Sequence, residues 1–454
     1  MHKILFISFE FHPVQTTGNF RSANFVKYFS EFGIQPIVLC GAEESILQYW
    51  KSGKVNRALL DDIPKDCEIH RVPFDRPYKP ASKYLQAKYY ADPIYSFWEK
   101  NAFKEAVEII KKHPSIEAIL VTLPPFSVGE LALRISKKFN IPLFVDLRDA
   151  WARQGQFSYF SRAHYFANLL NERKLLNHAS GIITVTNQLT EIYADSNKGI
   201  DKNKFKVVYN SYDNFDVDSQ QPIQVIPAKE SEKYIVGYIG AFYFSLEAEA
   251  IRTTPWWKRK GLKKFFYFAV KEQWIYRSPY FFFKAMAMIF ERHPDLRAKL
   301  FFGHIGDTPA WIYEMAKEFG VQDNIISYGF VNKDQLATVV KNFSALLATS
   351  EKIPVNKSFC LPSKTFDYIK YAKPILGFVK KGDYSVFLEK TQMGVLIDPD
   401  ELDQEINKIE AFLLSRTELR PQKSYIKSFH AREQTRLLSN ILKEKLTSNV
   451  VHQT

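Results

Sequence analysis

Short apolar runs alternate with segments of helical hydrophobic spacing along most of the chain. Residues 3–8 form an apolar run typical of a buried parallel strand, and residues 35–40 form a second one. Between them, residues 21–32 place aromatic side chains at helical intervals, and Gly33 follows as a helix-ending glycine. This order predicts a β-α-β unit and therefore a parallel sheet covered by helices.

The same alternation recurs in two series. The first predicts further strands at 118–122, 143–147, 181–185 and 206–209, with helices at 128–139, 162–178 and 188–195. The second predicts strands at 234–239, 298–302, 325–328, 345–348 and 375–378, with helices at 280–290, 310–319, 333–341, 364–371 and 402–414. Residues 41–96 give no clear signal. The fold class predicted is α/β, with two Rossmann-like, doubly wound sheets.

The length and the polar stretches of the chain predict its domain boundaries. A chain of 454 residues is longer than a single hydrophobic core usually supports, which predicts two domains. Residues 213–233 are polar and contain two prolines, which is typical of a linker. We therefore expect domains at 1–212 and 234–414, an insertion at 245–279 and a helical segment at 415–454. Ligands are expected in a cleft between the domains, at the carboxyl ends of the strands.

Charge and cysteine content indicate which classes of binding partner and which cellular compartment suit this chain. Lys and Arg number 62 against 49 acidic residues, a net charge of +13, which suits a nucleotide diphosphate, a phospholipid surface or nucleic acid. The three cysteines form no CxxC pair, which indicates a reducing compartment and no zinc site. The chain shows no signal-peptide pattern and no apolar run of membrane-spanning length. A cytoplasmic location is expected.

The stretch around Lys364 carries the strongest candidate chemistry. Pro362 and Ser363 suit a helix start, where backbone N–H groups attract phosphate oxygens. Lys364 in the first turn opposes the helix dipole, a penalty that a bound phosphate would reverse. Asp367, one turn deeper, is placed to accept hydrogen bonds from ribose hydroxyls. The alternative is that Ser363 caps the helix and Lys364 is a solvated surface charge.

A loop at residues 11–18 is the second candidate. It joins a strand to a helix and ends in Gly18, which would let the backbone approach a ligand closely. The GxGxxG fingerprint of dinucleotide-binding proteins is absent. An ordinary strand-to-helix turn with its usual glycine is the alternative.

Two other residue patterns are interpreted as structural. The acidic pairs Asp216/Asp218 and Asp398/Asp400 resemble a metal-binding DxD motif. The first pair lies in the expected linker, and Asp398 with Pro399 has the form of a helix cap. We expect no metal. His304 is isolated in sequence and is interpreted as a structural histidine rather than a base.

Several loose motifs in a fixed order resemble family-4-type glycosyltransferases of the GT-B class. They are residues 16–18 with Arg21, 145–151, 182–186, 207–213, 235–240 and 361–375. The resemblance implies an N-terminal acceptor domain, a C-terminal nucleotide-sugar donor domain and retention of anomeric configuration. By similarity, Gly18, Gly240, Ser363, Lys364 and Asp367 would bind the donor, and Asp149 would lie near the reacting centre.

The sequence also departs from the family. The first of two acidic residues that many members carry eight positions apart falls on Phe359, and the usual Arg and Lys pair after Gly240 is not evident. Arg277 is a candidate substitute. The predicted function is transfer of a sugar from a nucleotide-sugar donor, with no cofactor, to a glycan or lipid-linked acceptor in cell-surface polysaccharide or glycolipid synthesis. The alternatives are a nucleotide-sugar epimerase and a non-catalytic membrane-associated assembly protein.

The insertion mixes basic and aromatic residues. Trp256, Trp257, Lys258, Arg259 and Lys260 open a stretch that suits the headgroup layer of an anionic membrane. Peripheral attachment to the inner face of a membrane is therefore one expectation. The alternatives are a hairpin that packs its aromatic side chains on the second domain and, less favoured, a nucleic-acid surface.

Overall fold

The structure is a computed structural model that describes residues 1–16, 18–51, 53–77, 94–153, 158–331, 333–353 and 358–451. Contacts between α-carbons divide the chain into two compact units. The first unit comprises the described residues of Met1–Asp213, Trp256–Val270 and His430–Thr454. The second comprises those of Asn214–Pro255 and Lys271–Phe429.

The first unit is built on a seven-stranded parallel sheet. Its strands, in spatial order, are Glu68–Val72, Ile34–Gly41, His2–Ile7, Ile116–Leu123, Leu143–Leu147, Gly181–Thr184 and Phe205–Val207. Its helices are Asn19–Phe29, Glu43–Tyr49, Tyr95–Lys112, Val128–Phe139, Arg162–His178, Asn187–Ser196 and Ala431–Val451. Val14–Gln15 and Lys54–Val55 form a small antiparallel pair.

The last helix completes the core of the first unit. Leu438, Leu442 and Leu446 are buried in one apolar cluster with Ile4 and Phe6 of the sheet. Because these leucines repeat every four residues, they line one face of the helix Ala431–Val451. The helix therefore contributes to the core of a unit whose other strands and helices precede it by more than 150 residues.

A buried ion pair joins three elements of the first unit. Arg21 Nη2 lies 2.8 Å from Asp146 Oδ1, and both side chains are almost fully buried. Asp146 also accepts a 2.8 Å hydrogen bond from the Thr122 hydroxyl, and Arg21 donates to the carbonyl oxygens of Val208 and Tyr209. Arg21 belongs to a motif behind the family resemblance, and in this unit its guanidinium holds strand ends together.

The second unit is built on a six-stranded parallel sheet. Its strands, in spatial order, are Ile325–Gly329, Leu300–Ile305, Tyr234–Ile239, Ala345–Thr349, Ile375–Phe378 and Gly394–Ile397. Its helices are Leu246–Thr253, Tyr280–Arg292, Ala310–Lys317, Lys333–Lys341, Ser363–Lys370, Asp383–Thr391, Leu402–Leu414 and Lys423–Lys427. Ile223–Val225 and Thr417–Leu419 pair antiparallel, so the stretch expected as a linker contains a strand.

Two doubly wound parallel sheets confirm the fold class predicted from the sequence. Several elements have the predicted bounds, among them the helix Val128–Phe139 and the strand Tyr234–Ile239. Gly33, with φ of 71°, ends the first helical segment as predicted. No helix among the described residues is long and apolar enough to cross a bilayer.

Residues 256–270, within the predicted insertion, belong to the first unit although strands of the second unit flank them in sequence. Tyr267 pairs with Tyr159 through two 2.8 Å backbone hydrogen bonds, and the rings of Phe266 and Phe160 meet edge to face. The alternative that the hairpin packs its aromatic side chains on the second domain is wrong for Phe266 and Tyr267. Trp274 and Tyr276, later in the predicted insertion, are buried in the second unit, where the Tyr276 ring centre lies 4.6 Å from that of Phe281. Trp256 and Trp257 are each 62% exposed and Phe265 is 61% exposed, whereas Phe266 and Tyr267 pack on the first unit.

Candidate functional site

Lys364 lies in the first turn of the helix Ser363–Lys370, beside the end of the strand Tyr234–Ile239. Its ammonium group donates a hydrogen bond to the Tyr238 hydroxyl and lies 4.0 Å from the centre of the Tyr238 ring. The Ala241 carbonyl oxygen is 3.5 Å away. Lys364 is half-buried, so the alternative that it is a solvated surface charge is wrong.

Burial destabilises the positively charged form of Lys364. Burial of the ammonium group lowers the pKa of Lys364 to about 7. The Cys360 thiol opposes this shift, and the nearby guanidinium of Arg277 adds to it. Among the residues that the structure describes, the hydrogen-bond acceptors of the ammonium group are a phenol and a carbonyl, with no carboxylate. An anion at this point would be stabilised by Lys364 and by the amino end of the helix together.

Gly240 follows the same strand and leaves room beside Lys364. Its φ of 94° is a conformation that favours glycine, and a Cβ on Gly240 would lie 3.9 Å from Lys364 Nζ. The structure thus brings together two residues that the sequence assigned to donor binding. Tyr238, which contacts Lys364 directly, was not identified from the sequence.

His304 fixes the backbone at Gly240. Its Nε2 lies 2.9 Å from the Gly240 carbonyl oxygen and its Nδ1 lies 2.8 Å from the Thr308 hydroxyl. Because a carbonyl only accepts, Nε2 carries the proton and donates, and Nδ1 accepts from Thr308. Burial lowers the pKa of His304, so the neutral ring is favoured. These contacts agree with the interpretation of His304 as a structural histidine.

A buried charge cluster supports the segment that leads into the Lys364 helix. Arg277 donates to the Glu272 carboxylate, and its Nη2 lies 3.7 Å from Glu351 Oε2. Glu351 Oε1 accepts 2.8 Å hydrogen bonds from the backbone N–H of Cys360 and from the Ser358 hydroxyl. Both carboxylates are fully buried. The cluster therefore positions residues 358–360, just before the helix, and no local sequence pattern marked the two glutamates.

Ser363 and Asp367 are exposed on the same helix. The helix begins at Ser363, and the preceding Pro362 is its cap residue, with no side-chain cap hydrogen bond. Ser363 therefore does not cap the helix, contrary to the alternative expectation. The Asp367 carboxylate lies 3.1 Å from Lys370 Nζ, three residues on. Its assignment to a ribose remains a prediction.

Gly18 and Arg148 meet in the first unit. Gly18 precedes the helix Asn19–Phe29, and a Cβ at Gly18 would overlap the Arg148 guanidinium. Arg148 donates to the Pro124 carbonyl oxygen, while its buried Nε has no hydrogen-bond partner among the described residues. The missing side chain of Gly18 therefore makes room for a cation at the amino end of a helix. Arg148 came from the family motif, and the sequence assigned it no role.

Asp149 follows Arg148 and is exposed. Its backbone carbonyl oxygen accepts a 3.2 Å hydrogen bond from the Tyr193 hydroxyl, which fixes the turn after the strand Leu143–Leu147. Its catalytic assignment stays a prediction.

The two acidic pairs have structural roles. Asp398 accepts from the backbone N–H of Asp400 with Pro399 following it, which confirms the predicted cap. Lys380 bridges Asp398 and Asp400. Asp216 likewise caps the short turn Val217–Ser219. Within the part of the chain that the structure describes, no group of three or more His, Cys, Asp or Glu side chains is placed to hold a metal ion.

Comparison with known proteins gives a family match for part of the chain and similar folds for nearly all of it. Residues 21–211 match the family model described as a glycosyl transferase 4-like domain. The lipopolysaccharide outer core galactosyltransferase WaaB, in its apo form, superimposes with a TM-score of 0.55 at 14% identity, over 98% of this chain and 99% of that one. No curated protein matches the chain in sequence.

Two further solved structures are similar. Sucrose-phosphate synthase from Thermosynechococcus elongatus gives a TM-score of 0.53 at 14% identity, over 100% of this chain and 98% of that one. The N-terminal domain of trehalose-6-phosphate phosphatase from Candida albicans gives 0.53 at 11% identity, over 98% and 97%. At these identities the similarity concerns the fold.

Proposed function

The chain has the GT-B fold and its residues 21–211 match the glycosyl transferase 4-like domain, and on this premise we propose that it transfers a sugar from a nucleotide-sugar donor. The acceptor in this proposal is a glycan or a lipid-linked glycan of a cell-surface polysaccharide or glycolipid. WaaB, which shares the fold, is a lipopolysaccharide outer core galactosyltransferase, and its activity supports this class of product.

The observation that carries the proposal is the environment of Lys364. A half-buried lysine in the first turn of a helix is costly, and its partners here are the Tyr238 phenol and the Ala241 carbonyl. A diphosphate would receive hydrogen bonds from the ammonium group and from the amino end of the helix, with Gly240 leaving the space. In the proposal Ser363 also contacts the diphosphate, and Asp367 accepts from the ribose.

The proposed chemistry follows from where charge develops. The bond between the anomeric carbon and the diphosphate oxygen breaks, and the acceptor hydroxyl oxygen bonds to that carbon. The departing diphosphate gains negative charge, which Lys364 and the helix N–H groups stabilise without a metal ion. The acceptor proton leaves with the diphosphate, and the family resemblance favours retention of configuration.

We assign Asp149 of the first unit to the acceptor side, and the assignment of Gly18 to donor binding remains a prediction. Arg148 stands at the amino end of the helix Asn19–Phe29, in the space that Gly18 leaves, and suits an anionic group. Asp149 follows Arg148 and is exposed, and in the proposal its carboxylate accepts a hydrogen bond from an acceptor hydroxyl.

The experiment is a binding and turnover assay with a panel of UDP-, GDP- and CMP-sugars. One panel member should raise the melting temperature of the protein, and Lys364→Ala should abolish that shift. Lys317→Ala changes an exposed lysine of the same unit and is the matched control, for which the shift should persist. Binding that survives Lys364→Ala would contradict the proposed donor site.

Turnover separates the proposal from its alternatives. A transferase releases nucleoside diphosphate only as fast as an acceptor is glycosylated. Conversion of the free sugar nucleotide without any acceptor would identify an epimerase instead. Donor binding without turnover over a broad acceptor panel would favour an assembly protein.

A further inference from the structure

The segment 256–265 presents a surface that the described residues of its own unit do not cover. We call the basic aromatic surface the exposed side chains of Trp256, Trp257, Lys258, Lys260, Leu262, Lys263, Lys264 and Phe265. The two tryptophans are each 62% exposed and meet edge to face, with ring centres 6.0 Å apart. Phe265 is 61% exposed. Four large apolar side chains within ten residues are thus left in water, which marks an interaction site.

The segment that carries this surface packs its inner side chains on the first unit. Phe266 and Tyr267 turn inward against Phe160, Tyr159 and Tyr165 of the first unit. Arg259 also points inward, because its Nη1 donates a 2.9 Å hydrogen bond to the Phe266 carbonyl oxygen. The backbone is therefore held in place while the outer side chains stay exposed. Arg259, grouped with the outer residues by sequence, has a structural role.

The charge of the surface is of one sign. Between residues 256 and 271 the chain has five lysines and one arginine and no acidic residue. Such a surface attracts an anionic partner, and the mixture of cations with tryptophan is typical of the headgroup layer of a bilayer.

Aliphatic side chains distinguish a bilayer from single-stranded nucleic acid. Bases stack on aromatic rings, and an exposed leucine adds nothing to stacking. Leu262 lies within the surface, and the helix Arg162–His178, which packs on Tyr267 through Tyr165, exposes Phe166 and Leu170 one turn apart. Insertion into lipid uses the aliphatic side chain of Leu262 as well as the aromatic rings.

We propose that the basic aromatic surface docks the protein on a bilayer that contains anionic phospholipid. The tryptophans, Leu262 and Phe265 enter the interface, and the lysines lie over the lipid phosphates. This attachment is independent of the donor site in the second unit, and it would place the protein where lipid-linked acceptors are found.

The test is flotation of the full chain with vesicles of phosphatidylcholine alone or mixed with phosphatidylglycerol. The protein should float with the anionic vesicles and lose binding as salt is raised. Changing Lys258, Lys260, Lys263 and Lys264 to Gln should lower the partition coefficient at low salt on the order of a thousandfold, since each lysine contributes about 1 kcal/mol. Trp256→Ala with Trp257→Ala should lower it by about tenfold or more, in low salt as well as high.

The controls keep charge and residue type constant. Lys65, Lys202, Lys317 and Lys381 are exposed elsewhere, and their joint change to Gln should leave most of the binding, as should Trp50→Ala. Lys364→Ala should float like the wild type, so failure of the donor site and failure of the membrane surface are distinguishable. Wild-type protein that stays unbound, control variants that lose binding equally, or retention of single-stranded oligonucleotide in place of vesicles would overturn the proposal.

Discussion

Binding of a nucleoside diphosphate should take up a proton at Lys364. Burial lowers the pKa of this lysine from 10.5 to about 7 in the free protein. A diphosphate beside the ammonium group favours the charged form and raises that pKa in the complex. Above pH 7 the free protein therefore carries mostly the neutral amine and the complex the ammonium, so affinity falls as pH rises.

The magnitude follows from the size of the shift. At pH 8 a group with a pKa of about 7 is roughly 9% protonated, so binding should take up about 0.9 proton per diphosphate. The dissociation constant should rise up to about tenfold per pH unit, or ~1.4 kcal/mol, until the pKa of the complex is reached. Without ligand, the unfolded chain binds more protons than the folded one between pH 7 and 10.5, so the contribution of this group to stability rises with pH.

The assay is titration calorimetry of UDP or GDP at pH 8 in two buffers that differ in ionisation enthalpy. The difference in observed heat gives the protons taken up. Lys364→Arg keeps a positive charge at every pH used and should bind with almost no proton uptake and a flat pH profile. A wild-type uptake near zero, or equal uptake by the Arg variant, would refute the reasoning.

Three further predictions concern stability and packing. Glu351→Leu should lower the free energy of unfolding, measured in urea, by ~3–5 kcal/mol, because it removes one of the two carboxylates that the described residues place beside the buried Arg277 guanidinium. The control Glu389→Leu changes an exposed glutamate and should alter the free energy of unfolding by under ~0.5 kcal/mol. Leu438→Ala should lower the free energy of unfolding by ~2–5 kcal/mol, because Leu438 is buried in the core of the first unit. The control is Leu437→Ala, which changes the 38% exposed neighbour, and equal effects of the two changes would contradict the packing of the last helix. Gly18→Ala should lower the melting temperature, because the Cβ of the new alanine would overlap the Arg148 guanidinium. The double change with Arg148→Ala should recover most of the lost melting temperature, and no recovery would show that the strain lies in the backbone.

Elements with clear end signals were predictable from the sequence. The helix Arg162–His178 has the predicted bounds, and the Ser161 hydroxyl that precedes it accepts from the backbone N–H of His164. The helix Val128–Phe139 likewise ends at Asn140, whose φ of 53° suits an asparagine cap. Gly240 follows a strand and Lys364 lies in the first turn of a helix, and the resemblance to the family had assigned both residues to donor binding.

Contacts between distant parts of the chain were not predictable. The strand Glu68–Val72 lies at a sheet edge with mostly half-buried polar residues, so it lacks the apolar run that marked the inner strands. The Arg277 cluster joins residues 272 and 351, and only the folded second unit makes them neighbours. Residues 256–270 pack on the first unit through Tyr267 and Phe266, and the local sequence pattern does not indicate which unit the segment joins.

The most direct test of the account is a crystal structure of the protein with a bound nucleoside diphosphate. We predict a phosphate oxygen within hydrogen-bond distance of Lys364 Nζ, beside Gly240 and the amino end of the helix Ser363–Lys370. A diphosphate bound elsewhere, with Lys364 still donating to the Tyr238 hydroxyl, would contradict the central claim.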